Sequence, residues 1–304
     1  MDVSDAVDFL FGGVVPERLA ELDELWGKDA ERVRLTASTG FLLQQLWGTV
    51  QVSEIALRQI WLTGYAAERA LDAYLAALTL AAADGGVFDA HSWHMDPGQA
   101  REDAHFDALF DKVVQLGNVV DVDDIAWPPG IPKPTVGLRI GNPRRKAAFD
   151  LVCIAGAWVF AHEVRHHIYE RQQNAPNIPL AEEIECDRWA LGLLLDRASA
   201  YADENGWSPE LVRAKRLMGI LIAMLTILTV TPRSEWGAGR HPAIAERFKM
   251  LLDAGSSSLP NWFWPVVASM LAGFSRRLGL LQRPFPLTHG FRHLSYELVA
   301  LMTP

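Results

Sequence analysis

Residues 149–167 read FDLVCIAGAWVFAHEVRHH, so an almost unbroken apolar stretch runs straight into a cluster of histidines and a glutamate. The apolar part is too even to leave a polar face, which predicts a helix buried on most sides. Two imidazoles and a carboxylate carried into such a place cost free energy unless they find partners. The fold must therefore wrap around this helix and supply those partners. The polar end, His162-Glu163-Val164-Arg165-His166, has the spacing H-E-x-x-H. On a helix, positions i and i+4 lie about 40° apart, so His162 and His166 point the same way and can grip one metal ion. Glu163 is rotated about 100° from His162, beside the ion rather than on it, where it can take a proton from an activated water. His167 lies about 100° past His166, which excludes it as a ligand.

A catalytic zinc site needs a third protein ligand and one open position. The segment Ala181–Ala190, AEEIECDRWA, offers four acids. Glu183, Asp187, Ala190 and Leu194 share one helical stripe, with carboxylates giving way to a small and then an apolar residue. That stripe suits a face pressed on a buried ion. Glu183, 17 positions after His166, is the expected ligand, and Asp187 the acceptor that orients a ligand histidine. Glu182 and Glu185 fall off the stripe and can be solvated.

Bulk properties narrow the function class. A net charge of −9 opposes binding to nucleic acid, which requires a basic face. The two cysteines, Cys153 and Cys186, form no disulfide framework and read as small buried hydrophobes in a reducing compartment. The opening MDVSDAVDFLFGG has no Lys or Arg, unlike a secretory signal, so a cytoplasmic location is expected. Leu217–Val230, LMGILIAMLTILTV, is short of the ~18–20 residues that span a bilayer, which leaves a core helix or contact with the inner membrane without spanning.

The expected fold class is α+β, mainly α, with a small sheet packed on the H-E-x-x-H helix. A helical N-terminal region covers 1–134, helical to about residue 82 and less regular over 87–134. A core covers 135–255 and a helical extension 256–304. Trp127–Pro134, WPPGIPKP, cannot be helix and marks a boundary. Thr135–Ile140, TVGLRI, is the best strand candidate and the edge on which an extended substrate could lie. Helices follow at about 146–173, 180–197, 208–230 and 242–253. His91 and His94 lack an adjacent helix that would make them a metal pair.

These motifs resemble the gluzincin metallopeptidases, notably the prenyl-protein protease group. Here H-E-x-x-H is followed by Glu183-Ile184-Glu185-Cys186-Asp187-Arg188-Trp189-Ala190, and then by Gly239-Arg240-His241-Pro242 with Arg247 six positions after His241. The resemblance implies that Glu183 is the third zinc ligand and that His241 and Arg247 serve oxyanion or substrate binding. Alone, His241-Pro242 reads as a helix cap. The wording EVRHHIYE and EEIECDRWA is more similar to the phage-exclusion peptidases of the Lit type. That likeness implies a regulated anti-phage protease, with elongation factor Tu as substrate and a phage-derived activator. The chain lacks the clear spanning helices of the prenyl-protease group. Two other classes stay open: a constitutive peptidase that cuts a regulator, and a non-catalytic protein using the metal for structure. The second has no use for Glu163, since a structural site needs ligands but no base.

Overall fold

The computed structural model describes residues 3–26, 32–135, 138, 140–255 and 259–303. Helices α1 (Val3–Val14) and α2 (Leu19–Trp26) lead into strands β1 (Val33–Leu35), β2 (Leu43–Leu46) and β3 (Thr49–Val52). Then come α3 (Glu54–Ala83), β4 (Val87–Phe88), α4 (Ala90–His94), α5 (Pro97–Leu116) and α6 (Pro143–Gln172). The chain continues with α7 (Pro179–Leu195), α8 (Ala198–Glu204), α9 (Pro209–Val230) and α10 (Ile244–Ala254), and ends with α11 (Phe263–Arg277), β5 (Phe285–Pro286) and α12 (Gly290–Ala300). The class is thus mainly helical with a small sheet. One cluster of buried apolar side chains runs from Val7 to Met302.

Helix α6 is the axis of the molecule. Asn142 accepts the Arg145 N–H at its start and Pro143 fills the first turn, where no donor is needed. Its residues from Ile154 through Val164 are buried on every side. It is the one described helix long and apolar enough to cross a membrane, but most of that length is spent inside the protein. Helix α9 starts in the same way, with Ser208 accepting the Leu211 N–H ahead of Pro209. Its run Leu217–Val230 forms the other half of the core, where Leu217, Ile220, Leu221, Ile222, Ala223 and Leu225 are fully enclosed. Met218, Ile227, Thr229 and Val230 along that stretch are only partly buried.

The sheet lies elsewhere than the sequence suggested. Of the expected strand at 135–140, Val136, Gly137 and Arg139 fall outside the described residues. Thr135, Leu138 and Ile140 belong to no strand, and the Leu138 N–H donates to the Thr135 carbonyl at 3.1 Å, as in a turn. The sheet that packs on α6 comes from residues 33–52, inside the stretch read as helical. Its order is β1-β3-β2, with β1 parallel and β2 antiparallel to β3. Trp47 and Gly48 join β2 to β3 with φ of +50° and +80°. Two such residues make the tight turn whose twist suits a two-residue hairpin. Gly48 meets that demand without strain, whereas Trp47 adopts a conformation costly for a bulky side chain.

Residues 87–134 also hold more order than expected. Asp96 accepts the N–H groups of Gly98 and Gln99 and opens the 20-residue α5. Its buried face, Phe106, Leu109, Phe110, Val113 and Leu116, packs against α3.

Candidate active site

The site forms where α6, α7 and the loop before α10 meet beneath the β2–β3 hairpin. His162 and His166 leave α6 one turn apart, with rings 4.9 Å between centroids. Helix α7 runs alongside and turns Glu182, Glu183 and Asp187 toward them. His162 Nδ1 lies 2.9 Å from Asp187 Oδ1, and His166 Nδ1 lies 2.7 Å from Glu182 Oε1. Ionised carboxylates only accept, so both rings donate from Nδ1. Both Nε2 atoms then carry lone pairs, and they face each other at 3.2 Å.

Glu183 closes the group. Its Oε2 lies 3.4 Å from His162 Nε2, and its Oε1 lies 3.5 Å from His166 Nε2. Among the described residues these three side chains are the one set that converges as metal ligands would. Two donors at the usual zinc–nitrogen or zinc–oxygen distance and a tetrahedral angle stand about 3.3 Å apart, so the observed spacings fit the ion. The charge balance agrees. Glu163, Glu182, Glu183 and Asp187 are set against one guanidinium, that of Arg247, and all but Glu182 are buried. Lone pairs and carboxylates packed this way require a cation. A second proton on His162 is the alternative answer to the same demand. Burial lowers the pKa of the ring, but hydrogen bonds to Asp187 and Glu183 outweigh burial and push it up to about 10. Glu183 is the reciprocal case: burial raises its pKa, yet His162 and His241 hold it well below the carboxylate range.

Glu163 stands to one side of the triad, with only 8% of its surface exposed. Its Oε2 accepts the backbone N–H of Gln45 in β2 at 2.6 Å. Burial raises its pKa, which favours a group that must hold a proton in transit.

His241 and Arg247 differ from each other. His241 donates from Nδ1 to Glu183 Oε2 at 2.8 Å, and its side chain stays 61% exposed at the mouth of the site. Arg247 is buried, with Nε 2.9 Å from Asp187 Oδ2 and an Nη 3.6 Å from Glu183 Oε2. It braces the two acids. Glu182 corrects the sequence reading, since it holds His166 instead of facing solvent. Glu185 pairs with Arg188 on the surface.

His167 is buried outside the triad. Cys186 is fully enclosed and burial pushes its thiol well up, while burial pushes that of Cys153 up to about 12. Neither is a ready nucleophile. His94 Nδ1 lies 2.7 Å from the buried Asp103, and among the described residues His91 and His94 belong to no converging ligand set. Sequence reasoning gave no place to Gln45 and the hairpin. The sole local sign was Trp47-Gly48 between short alternating runs.

A helix pair that brings two imidazoles and an acid to one point, with a glutamate beside them, could hold a metal ion. Residues 50–265 match the Peptidase U49 family, which is 216 of 304 residues, and the chain belongs to that family. It is also similar to the cell death peptidase of Escherichia coli strain K12, at 30% identity over 127 residues. That match covers 40% of this chain and 38% of the relative, well under half the length of either. No solved structure matches the chain.

Proposed function

We propose that the protein is a zinc-dependent endopeptidase of the gluzincin kind, acting on an intracellular protein. One observation carries the reading. Both ligand imidazoles commit Nδ1 to a carboxylate, which leaves two Nε2 atoms and Glu183 spaced 3.2–3.5 Å around one point, with Glu163 beside it. His162, His166 and Glu183 would hold the ion. Zinc there would supply Lewis acidity toward water and toward the scissile carbonyl. Glu163 uses Oε1 to take a proton from the attacking water and to pass it to the departing amine, because its Oε2 is occupied by Gln45. His241, exposed at the mouth, would meet the carbonyl oxygen through Nε2–H in its doubly protonated form, since its Nδ1–H already faces Glu183. Asp187 and Glu182 keep the two rings turned, and Arg247 keeps Asp187 in place.

The substrate edge passes to β2. Next to a two-residue turn, Leu46 and Thr49 form the hydrogen-bonded pair, so the backbone groups of Leu43 and Gln45 face away from β3. An extended peptide can pair with Leu43 and with the Gln45 carbonyl.

The cell death relative supports a peptidase, and the Lit-type resemblance extends the proposal to a regulated anti-phage protease that cuts elongation factor Tu in response to a phage product. Wild type and Glu163→Gln would be expressed in bacteria, with and without phage, and new protein termini compared across the proteome. A fragment of elongation factor Tu in infected wild-type cells alone is the expected result. Termini that appear equally in both strains would remove the peptidase reading.

Glu182 gives a finer check. Glu182→Ala frees the His166 ring to rotate, so zinc should bind about 10–100-fold more weakly in chelator competition. Glu185→Ala, on the outer face, should leave affinity unchanged.

A further inference from the structure

The β2–β3 hairpin touches α6 at two places on one face. Glu163 and Glu170 are seven residues apart, about 20° around the axis and about 10 Å along it. At the first place the Gln45 N–H donates to Glu163 Oε2 at 2.6 Å. At the second, Glu170 Oε2 accepts the Gln45 side-chain amide at 2.5 Å and the Gly48 N–H at 3.0 Å. One carboxylate therefore binds the hairpin both through its turn and through the residue whose backbone holds the other carboxylate. We propose that Glu170 is a positioning residue that fixes the hairpin on α6 and so sets the orientation of the Glu163 carboxylate. The inference rests on Glu163 being the base.

The physical argument is one of order. A two-residue hairpin with four-residue strands is marginal by itself, and β2 is an edge strand paired only with β3. Gly48, at +80°, has no side chain to anchor the turn, and the Trp47 side chain is 84% exposed. The Gln45–Gly48 end is tied to the helices by its hydrogen bonds to Glu163 and Glu170. Without Glu170 the Gln45 N–H is delivered by a mobile tip, and Glu163 loses the bond that directs Oε1 toward the water. A misplacement of about 1 Å in a catalytic group costs on the order of 100-fold. Glu170 itself is exposed, so its replacement leaves the core intact.

Hydrogen exchange on the full chain reads this contact without turnover. Glu170→Ala should speed exchange of the Gln45 amide at least about 10-fold. The Val50 amide, bonded to the Arg32 carbonyl at 2.9 Å, should stay protected. Glu170→Gln keeps an oxygen that accepts both bonds and should restore Gln45 protection. With fluorescein-labelled casein as probe, Glu170→Ala should lower kcat about 10-fold or more at nearly constant KM, and Glu170→Gln should recover most of it. Unchanged Gln45 exchange in Glu170→Ala would overturn the proposal, as would a loss that Glu170→Gln leaves unrepaired. Failure of wild type to cut casein, with Gln45 exchange responding as expected, would leave the latch standing and fit a protease that waits for its activator.

Discussion

Replacing Glu163 by Gln is expected to lower kcat about 1,000-fold while zinc content and KM hold steady. General-base catalysis contributes roughly 100- to 10,000-fold, and here the local geometry isolates that contribution. Glutamine has the shape of glutamate, so the buried slot beside His162 stays filled. Its Oε1 can accept the Gln45 N–H that Glu163 accepts now, which turns the Nε2 amide toward the water. An amide in that place donates where a base must accept. None of the three candidate ligands is altered, and their orienting partners Asp187 and Glu182 are untouched. His166→Ala is the contrasting case, because it removes a donor from the triad and should lose metal and activity together. Metal analysis beside steady-state kinetics on each variant separates the two. A Glu163→Gln protein that retains zinc and cuts at the wild-type rate would show that the proton moves through some other group.

The parts of this site that could be read from the sequence are those whose geometry is local. His162, Glu163 and His166 sit within five residues, and helical periodicity alone fixes which way each points. Glu183 and Asp187 were accessible because they repeat on one stripe of the next helix. Glu182 was missed by the same rule. The stripe argument places it about 100° from Glu183, yet α7 lies close enough to α6 for adjacent positions to serve different histidines: Glu183 faces both Nε2 atoms, and Glu182 reaches His166 Nδ1. Single-helix periodicity cannot reveal that crossing. The hairpin was harder still. Its strands are four residues long, and β2 carries Gln44 and Gln45 at its centre. It owes its place to Glu163 and Glu170, more than 100 residues away in sequence. The alternation of Thr135–Ile140 was the stronger local signal, yet its described residues Thr135, Leu138 and Ile140 join no strand, and strand formation needs a neighbour to pair with. Helix α5 went unseen for the opposite reason: its charged residues dilute the apolar stripe, although Asp96-Pro97 is a legible start.

Gly219→Ala should cost about 2–4 kcal/mol of stability and lower the melting temperature by roughly 5–10 °C. An alanine inside a helix ordinarily gains up to about 1 kcal/mol over glycine, so the expected sign rests on packing alone. Helices α6 and α9 meet at this point with no gap. A Cβ added to Gly219 would stand 2.3 Å from the Cβ of Ile154 and 3.0 Å from the Leu151 carbonyl oxygen. An Ile Cβ is fixed to the backbone, so no rotamer change relieves the overlap and the helices must part. Both are core helices, with Leu217, Ile220 and Ile222 enclosed around the contact, and separation opens voids along it. Eight residues after Ile154 on α6 stands His162. A shift of that helix moves one imidazole relative to Glu183 on α7, so zinc affinity should fall with stability. Gly13→Ala is the matched control. Gly13 lies exposed in α1, where an added Cβ would meet nothing within 4 Å, and that change should stabilise by about 0.5–1 kcal/mol. Thermal unfolding of both variants, each with and without zinc, tests the pair. Equal melting temperatures would mean that α6 and α9 approach less closely than the packing of Gly219 on Ile154 requires.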